Sequence, residues 1–209
     1  FISRRFGIPE ANLRFVPMYS TLGDSEPATE DDGFILSIGR TSRDWDTLLR
    51  AAPRFAAPLH LVAGREDRLP LPLPPNVQVH RDLPLAEGHA MMRRAAVVAI
   101  PLLPSERSTG QVVLFEAMAL GKPVVATRAT GTIDYLRDGE NALLVAPGDA
   151  DALAAAVNRL VQDPALAGRL KQAALKDCRN ELSVETHAAR KLKAIGSLVA
   201  ARAPTPAPA

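Results

Sequence analysis

Short, almost uninterrupted apolar runs recur along the chain, each followed by a helical pattern. Residues 34–38 (Phe-Ile-Leu-Ser-Ile), 59–63 (Leu-His-Leu-Val-Ala), 96–100 (Ala-Val-Val-Ala-Ile), 123–127 (Pro-Val-Val-Ala-Thr) and 142–145 (Ala-Leu-Leu-Val) read as buried strands. Val77-Gln78-Val79-His80 alternates and reads as a further strand. Helical patterns separate or follow them at 44–55, with Leu48, Leu49 and Ala52 on one face, and at 87–94, 111–120, 149–161, from 163 onward, and 183–201. A strand that stays apolar instead of alternating is covered on both faces. Strands alternating with helices form a parallel sheet with right-handed crossovers. The expected fold is therefore α/β, a doubly wound parallel sheet of about six strands.

The rest of the chain sets boundaries. Its 209 residues are enough for one large domain. Residues 1–33 are expected to be a linker or packed edge leading into the domain, residues 34–201 the domain itself, and the Ala/Pro stretch 202–209 a disordered tail. Phe1 in place of Met, with no signal-type segment after it, suggests a piece cut from a longer polypeptide. A net charge of +2 is too balanced for a nucleic-acid surface. The single cysteine, Cys178, excludes an internal disulfide framework and points to the cytoplasm. No run approaches the ~18–20 apolar residues that span a bilayer.

Ligands of an open parallel sheet bind beyond the carboxyl ends of its strands. Three loops fall there. In Gly39-Arg40-Thr41-Ser42-Arg43-Asp44, two arginines offer planar forks suited to phosphate. The plain alternative is two solvated arginines, one paired with Asp44. In the second loop, Ser108 and Gln111 have the spacing of a capping box, and Gly110 gives close backbone access beside Thr109. The third, Thr130-Gly131-Thr132, reads locally as a turn and helix cap.

The segment after the second loop is apolar nearly all round, so its one charge, Glu116, is expected to be buried. A buried carboxylate needs a partner. Either an arginine supplies it, or the carboxylate accepts hydrogen bonds from ligand hydroxyls such as the cis-diol of a ribose. His60 and His80 lie in strands, and His89 and His187 on helices, with no metal-ligand spacing among them.

Residues 115–127 (Phe-Glu-Ala-Met-Ala-Leu-Gly-Lys-Pro-Val-Val-Ala-Thr) resemble the nucleotide-sugar-binding core of GT-B glycosyltransferases of the glycosyltransferase family 4 type. Gly131, residues 138–141, residues 145–149 and the strand ending at Arg40 match the same pattern, and the resemblance covers about residues 5–200. It implies a Rossmann-like domain, the C-terminal, donor-binding half of a retaining hexosyltransferase. The substrate implied is a UDP-, GDP- or ADP-sugar, with no cofactor and no metal. In that family the second of two glutamates spaced eight apart binds the ribose, and Glu116 occupies its place. The first would fall at Ser108, where the family residue contacts the donor sugar; Glu106 or Gln111 could substitute. Arg40 matches the family's diphosphate-binding arginine, and Arg43 stands nearest to the lysine that accompanies it. Asp82 and Leu83 lie where the backbone recognises the base.

The resemblance thus implies a catalytic set of Arg40, Arg43 and Glu116. The donor site would be Gly39, Asp82, Leu83, Ser108, Thr109, Gly110, Gln111, Glu116 and Gly131. An N-terminal acceptor-binding domain outside this chain is implied as partner, through which the enzyme could associate with the inner face of the membrane. The final helix, with Val184, Ala188, Leu192 and Ile195, would cross toward it. Two other readings remain: a non-catalytic nucleotide-sugar-binding module, and a nucleotide-sugar epimerase or unrelated α/β protein. Loss of nucleoside-diphosphate affinity in Glu116→Ala or Arg43→Ala, without unfolding, is the expected signature of the donor site that the resemblance implies.

Overall fold

A computed structural model of the chain describes residues 2–23 and 25–200. The expected tail at 202–209, and the expected last residue of the final helix, Ala201, lie outside the described residues. Six strands form one parallel sheet: β1 Phe34–Ile38, β2 Leu59–Ala63, β3 Val77–Arg81, β4 Ala95–Ile100, β5 Val124–Thr127 and β6 Leu143–Val145. Their spatial order is β3-β2-β1-β4-β5-β6, so the winding reverses between β1 and β4. This is the Rossmann-like, doubly wound arrangement that the apolar runs predict.

The double cover explains why the central strands do not alternate. Phe34, Leu36, Val98 and Ile100 enter a cluster with Leu114, Phe115 and Met118, while Ile35, Val97 and Ala99 enter another with Leu48, Leu153 and Val157. Successive side chains point to opposite faces, and both faces are apolar. Each fully buried aliphatic side chain contributes roughly 1.5–3 kcal/mol. The edge strand β3 keeps its polar alternation because it is only half covered.

Helices α1 Ile2–Phe6, α2 Trp45–Ala51, α3 Leu85–Arg94, α4 Gln111–Ala119, α5 Ala150–Gln162, α6 Pro164–Glu181 and α7 Val184–Ala200 complete the fold. Three aspartates cap as their positions suggest: Asp44 accepts from Thr47 N, Asp149 from Ala152 N and Asp163 from Leu166 N. Helix α2 stops earlier than its apolar pattern, giving way to a 3₁₀ turn over Ala52–Arg54. Pro53 explains the stop, since it has no N–H to continue the helix. Helix α3 starts two residues before Glu87, directly after Pro84. The segment before β1 runs along the domain: Ser20 N donates to Leu182 O, Ala28 N to Leu120 O and Asp32 N to Arg94 O. Helix α7 buries none of its residues; Val184, Leu192, Ile195 and Val199 are all exposed.

Lys122, between α4 and β5, is buried, and its Nζ donates to Glu30 O at 3.3 Å. Burial pushes its ammonium down to about 8, against the opposing pull of Asp31. The unfolded chain, with an ordinary lysine value, therefore binds more protons than the folded chain above that point. Stability contributed by this group should rise with pH from about 8 toward about 10.5. Denaturation midpoints of the wild type and Lys122→Met, followed across that window, should diverge, with the slope lost in the variant. Parallel curves would show that Lys122 keeps its proton.

Candidate functional site

The reversal between β1 and β4 opens a crevice above the carboxyl ends of the strands, and hydrogen bonds tie its loops into one rim. Asp44 N donates to Pro101 O and Leu103 N to Ser42 O, joining the loop after β1 to the loop after β4. Thr130 Oγ1 donates to Ser105 O, joining the loop after β4 to the loop after β5. Leu102 N donates to Thr127 Oγ1, and Thr132 Oγ1 to Thr127 O.

Two chambers share this crevice. The first, of about 310 Å³, is walled by apolar side chains including Ile38, Val62, Leu83 and Met92, and its polar side chains are Arg40, Asp82, His89 and Glu116. The second, of about 260 Å³, lies over the start of α4 and is lined by Thr41, Arg43, Ser108, Thr109, Gly110 and Gln111. Gly39, Arg40, Val112 and Val113 line both, so the chambers adjoin.

Glu116 is 7% exposed, on the second turn of α4. Its neighbour is His89 of α3 and not an arginine: His89 Nε2 lies 3.0 Å from Glu116 Oε1. The approach is off the ring's N–H direction, so Nε2 is buried without a hydrogen bond. The carboxylate thus sits in an apolar chamber with one close side-chain partner. Asp82 has a positive φ of 49°, its N–H donates to Ala63 O, and its carboxylate takes the N–H and Nε of Arg65. Arg40, largely exposed, lies 3.6 Å from Asp82 Oδ1 and spans the mouth of both chambers.

Arg43 behaves differently from its solvated alternative. It is buried, donating Nε and Nη2 to Ile38 O and Nη1 to Thr41 O, and so braces the loop that carries Arg40. Burial pushes its guanidinium down to about 10, Asp67 opposing. Asp44 is not its partner: that carboxylate is taken by Thr47 N and Oγ1, at 3.0 and 2.7 Å. Three bonds still leave two of the five guanidinium N–H groups for a ligand. Replacing Arg43 would loosen the loop as well as remove a charge. A Cβ at Gly39, whose φ is 140°, would overlap the Arg43 guanidinium, so the buried arginine occupies room that only a glycine there leaves.

The capping box expected at Ser108 and Gln111 does not form. The residue before α4 is Gly110, at a φ of 87°, with no side-chain cap. The chain turns left-handed there, which carries Ser108 out of reach, and the first N–H groups of α4 face the second chamber uncapped. Glu106 is exposed and lies outside either wall, whereas Gln111 lines the second chamber. Gly131 lines neither chamber; it packs against the Thr109 backbone from behind. Residues 131–135 form turns and not the helix that a cap at Thr132 anticipates. The residue that the sequence reading passed over is His89. Its contact with Glu116 joins α3 to α4 across an intervening strand, which no local pattern shows. Among the described residues no cluster of three His, Cys, Asp or Glu can hold a metal, and no helix is long and apolar enough to cross a membrane.

A family model described as glycosyl transferases group 1 matches residues 33–163, more than half of the chain. The chain belongs to the glycosyl transferases group 1 family. Among its curated relatives is the lipopolysaccharide core biosynthesis glycosyltransferase LpsE of Rhizobium meliloti (strain 1021), 42% identical over 78 residues, which cover 37% of this chain and 23% of LpsE. Sucrose-phosphate synthase from Thermosynechococcus elongatus superposes with a TM-score of 0.74 at 25% identity, covering 96% of this chain and 56% of that one. HepE from Anabaena, solved with UDP and glucose, superposes at 0.66 and 22% identity, covering 80% of this chain and 49% of HepE. The sheet is the one found in GT-B glycosyltransferases of this kind. The chain spans about half the length of those solved relatives, and its match spans under a quarter of LpsE.

Proposed function

We propose that this member of the group 1 family is the donor-binding, C-terminal part of a retaining glycosyltransferase of the family 4 type. Its substrate in this reading is a UDP-, GDP- or ADP-hexose. One observation carries the reading: an apolar chamber holding a single buried carboxylate adjoins a chamber framed by arginines and an uncapped helix start. A nucleoside fits the first, with its base against Leu83 and Asp82 and its cis-diol on Glu116. A diphosphate fits the second, where the α4 N–H groups, Arg40 and Arg43 supply positive potential.

Catalysis is then electrostatic. Charge growing on the departing diphosphate is met by preorganised donors, the largest single contribution in many enzymes. No metal is needed where guanidinium groups neutralise the leaving group. The glycosyl centre is attacked by an acceptor hydroxyl on the face from which the diphosphate leaves. That hydroxyl is presented by an N-terminal domain against which the exposed face of α7 packs. The intact enzyme is placed in the cytoplasm, with any contact with the inner membrane face made through that domain, and this chain alone is inactive.

Thermal denaturation with UDP, GDP, ADP and their sugar conjugates tests the assignment. At 100 times its dissociation constant a ligand specific for the folded state adds about 2.7 kcal/mol, about 5–10 °C for a domain of this size. One base should stabilise; a flat response to all three abandons the reading. Ser108, standing in the place of the sugar-contacting glutamate, favours a second reading, a module that holds a nucleotide sugar without transferring it. Transfer in the presence of the N-terminal domain excludes that second reading. Binding without transfer or donor hydrolysis across a broad panel supports it.

A further inference from the structure

His89 carries a role that the family pattern does not assign. Its Nε2 is buried with no hydrogen-bond partner, 3.0 Å from a carboxylate oxygen with which it is misaligned. A buried polar atom left without a partner is destabilising. Such a nitrogen calls for an explanation, and here the explanation lies beside it. The ring torsion of a histidine is broad, and a turn about it is the movement that would bring Nε2–H onto Glu116 Oε1, 3.0 Å away. Both helices are fixed by one core cluster, through Met92 of α3 and through Leu114, Phe115 and Met118 of α4. Among the described residues lining the first chamber, the only other cationic or N–H-bearing side chain is that of Arg40, which points to Asp82.

We propose that His89 is the positioning residue of the ribose site. Its Nε2–H takes Glu116 Oε1 when a nucleotide enters, which fixes the carboxylate plane and leaves Oε2 to accept from the cis hydroxyls. The histidine has this donor both as the Nε2–H tautomer and as imidazolium. A carboxylate free to turn would meet one hydroxyl or none; a held one meets the pair. The result is selectivity for ribonucleotides over deoxyribonucleotides. This inference rests on the reading of Glu116 as the ribose ligand.

Calorimetry on the full chain, with UDP, GDP and ADP and with the 2′-deoxy and 3′-deoxy forms of whichever binds tightest, is the test. The wild type should prefer the ribonucleotide by about tenfold, the worth of one charge-assisted hydrogen bond. In His89→Phe, which keeps the ring and loses the nitrogen, the preference should collapse toward parity, the larger loss of affinity falling on the ribonucleotide. His89→Gln, which restores an N–H donor, should recover it. His89→Leu is the second variant should the phenylalanine disturb folding. A preference that survives His89→Phe and His89→Leu overturns the inference alone and leaves Glu116 as ribose ligand. Loss of preference in His89→Gln as well also overturns it, because the N–H donor is then not what matters. A wild type that binds no nucleoside diphosphate, or binds without ribose preference, overturns both readings.

Discussion

Glu116→Ala is expected to weaken nucleoside-diphosphate binding about tenfold to a hundredfold without lowering the stability of the free domain. The first half follows from the chamber. A carboxylate accepting from a sugar hydroxyl makes a charge-assisted bond worth about 1.5–3 kcal/mol, and every 1.4 kcal/mol is tenfold in affinity. The second half follows from burial. Glu116 is 7% exposed, in a helix whose other described faces are apolar, and its close side-chain neighbour, His89, is misaligned with it. A buried charge so poorly partnered contributes little to stability, and replacing it by an apolar group is often neutral or stabilising. A carboxylate that adds little to the fold yet faces a chamber is the arrangement expected of a ligand-binding group. Calorimetric titration and a melting curve on the same sample separate the two halves. Equal affinity in wild type and variant would remove Glu116 from the site. A melting temperature several degrees lower would mean that the carboxylate is structural, held by a partner that forms in solution.

The layout of the sheet was legible because both faces of each central strand are covered. Ile35 and Leu36 point opposite ways, yet both are fully buried, as a parallel sheet covered by helices on both faces requires of so short a run. Glu116 was legible for the complementary reason, as one charge in an apolar helix. Loop conformation was not. Ser108 and Gln111 have the spacing of a capping box, but the left-handed turn at Gly110 takes the start of the helix past Ser108. Spacing records which residues are three apart, not which of them the backbone brings round. Arg43 shows the same limit. Its charge suggested an anion site, but nothing in the sequence showed that it is also a buried brace for the carbonyls of Ile38 and Thr41. His89 was invisible because its contact with Glu116 joins two helices separated by a strand, a coincidence that no local pattern encodes.

Gly131→Ala should damage the site from behind. Gly131 is buried, and a methyl group there would fall 2.3 Å from Thr109 O and 2.6 Å from Thr109 N. These are backbone atoms, so no side chain can swing away to make room. The strand end before Gly131 is anchored by Thr132, whose hydroxyl donates to Thr127 O and accepts from Ala129 N. Relief must therefore come from the other partner, the turn at Thr109 and Gly110 that opens α4. Overpacking of this kind costs about 1–3 kcal/mol, a fall of about 2–12 °C in melting temperature for a domain of this size. The same displacement moves the uncapped N–H groups at the start of α4, so diphosphate affinity should fall together with stability. Nucleoside affinity should fall much less, because Glu116 lies more than a turn further along the helix. Calorimetry with a nucleoside diphosphate and with the free nucleoside, beside a melting curve, resolves these effects. If the diphosphate loses no more affinity than the nucleoside, the start of α4 is not where the phosphates bind. If neither stability nor affinity changes, the close approach of Gly131 to Thr109 is not a feature of the folded chain in solution. A selective loss of the diphosphate places the second chamber's function in the backbone of α4, held in place by a glycine that touches no ligand.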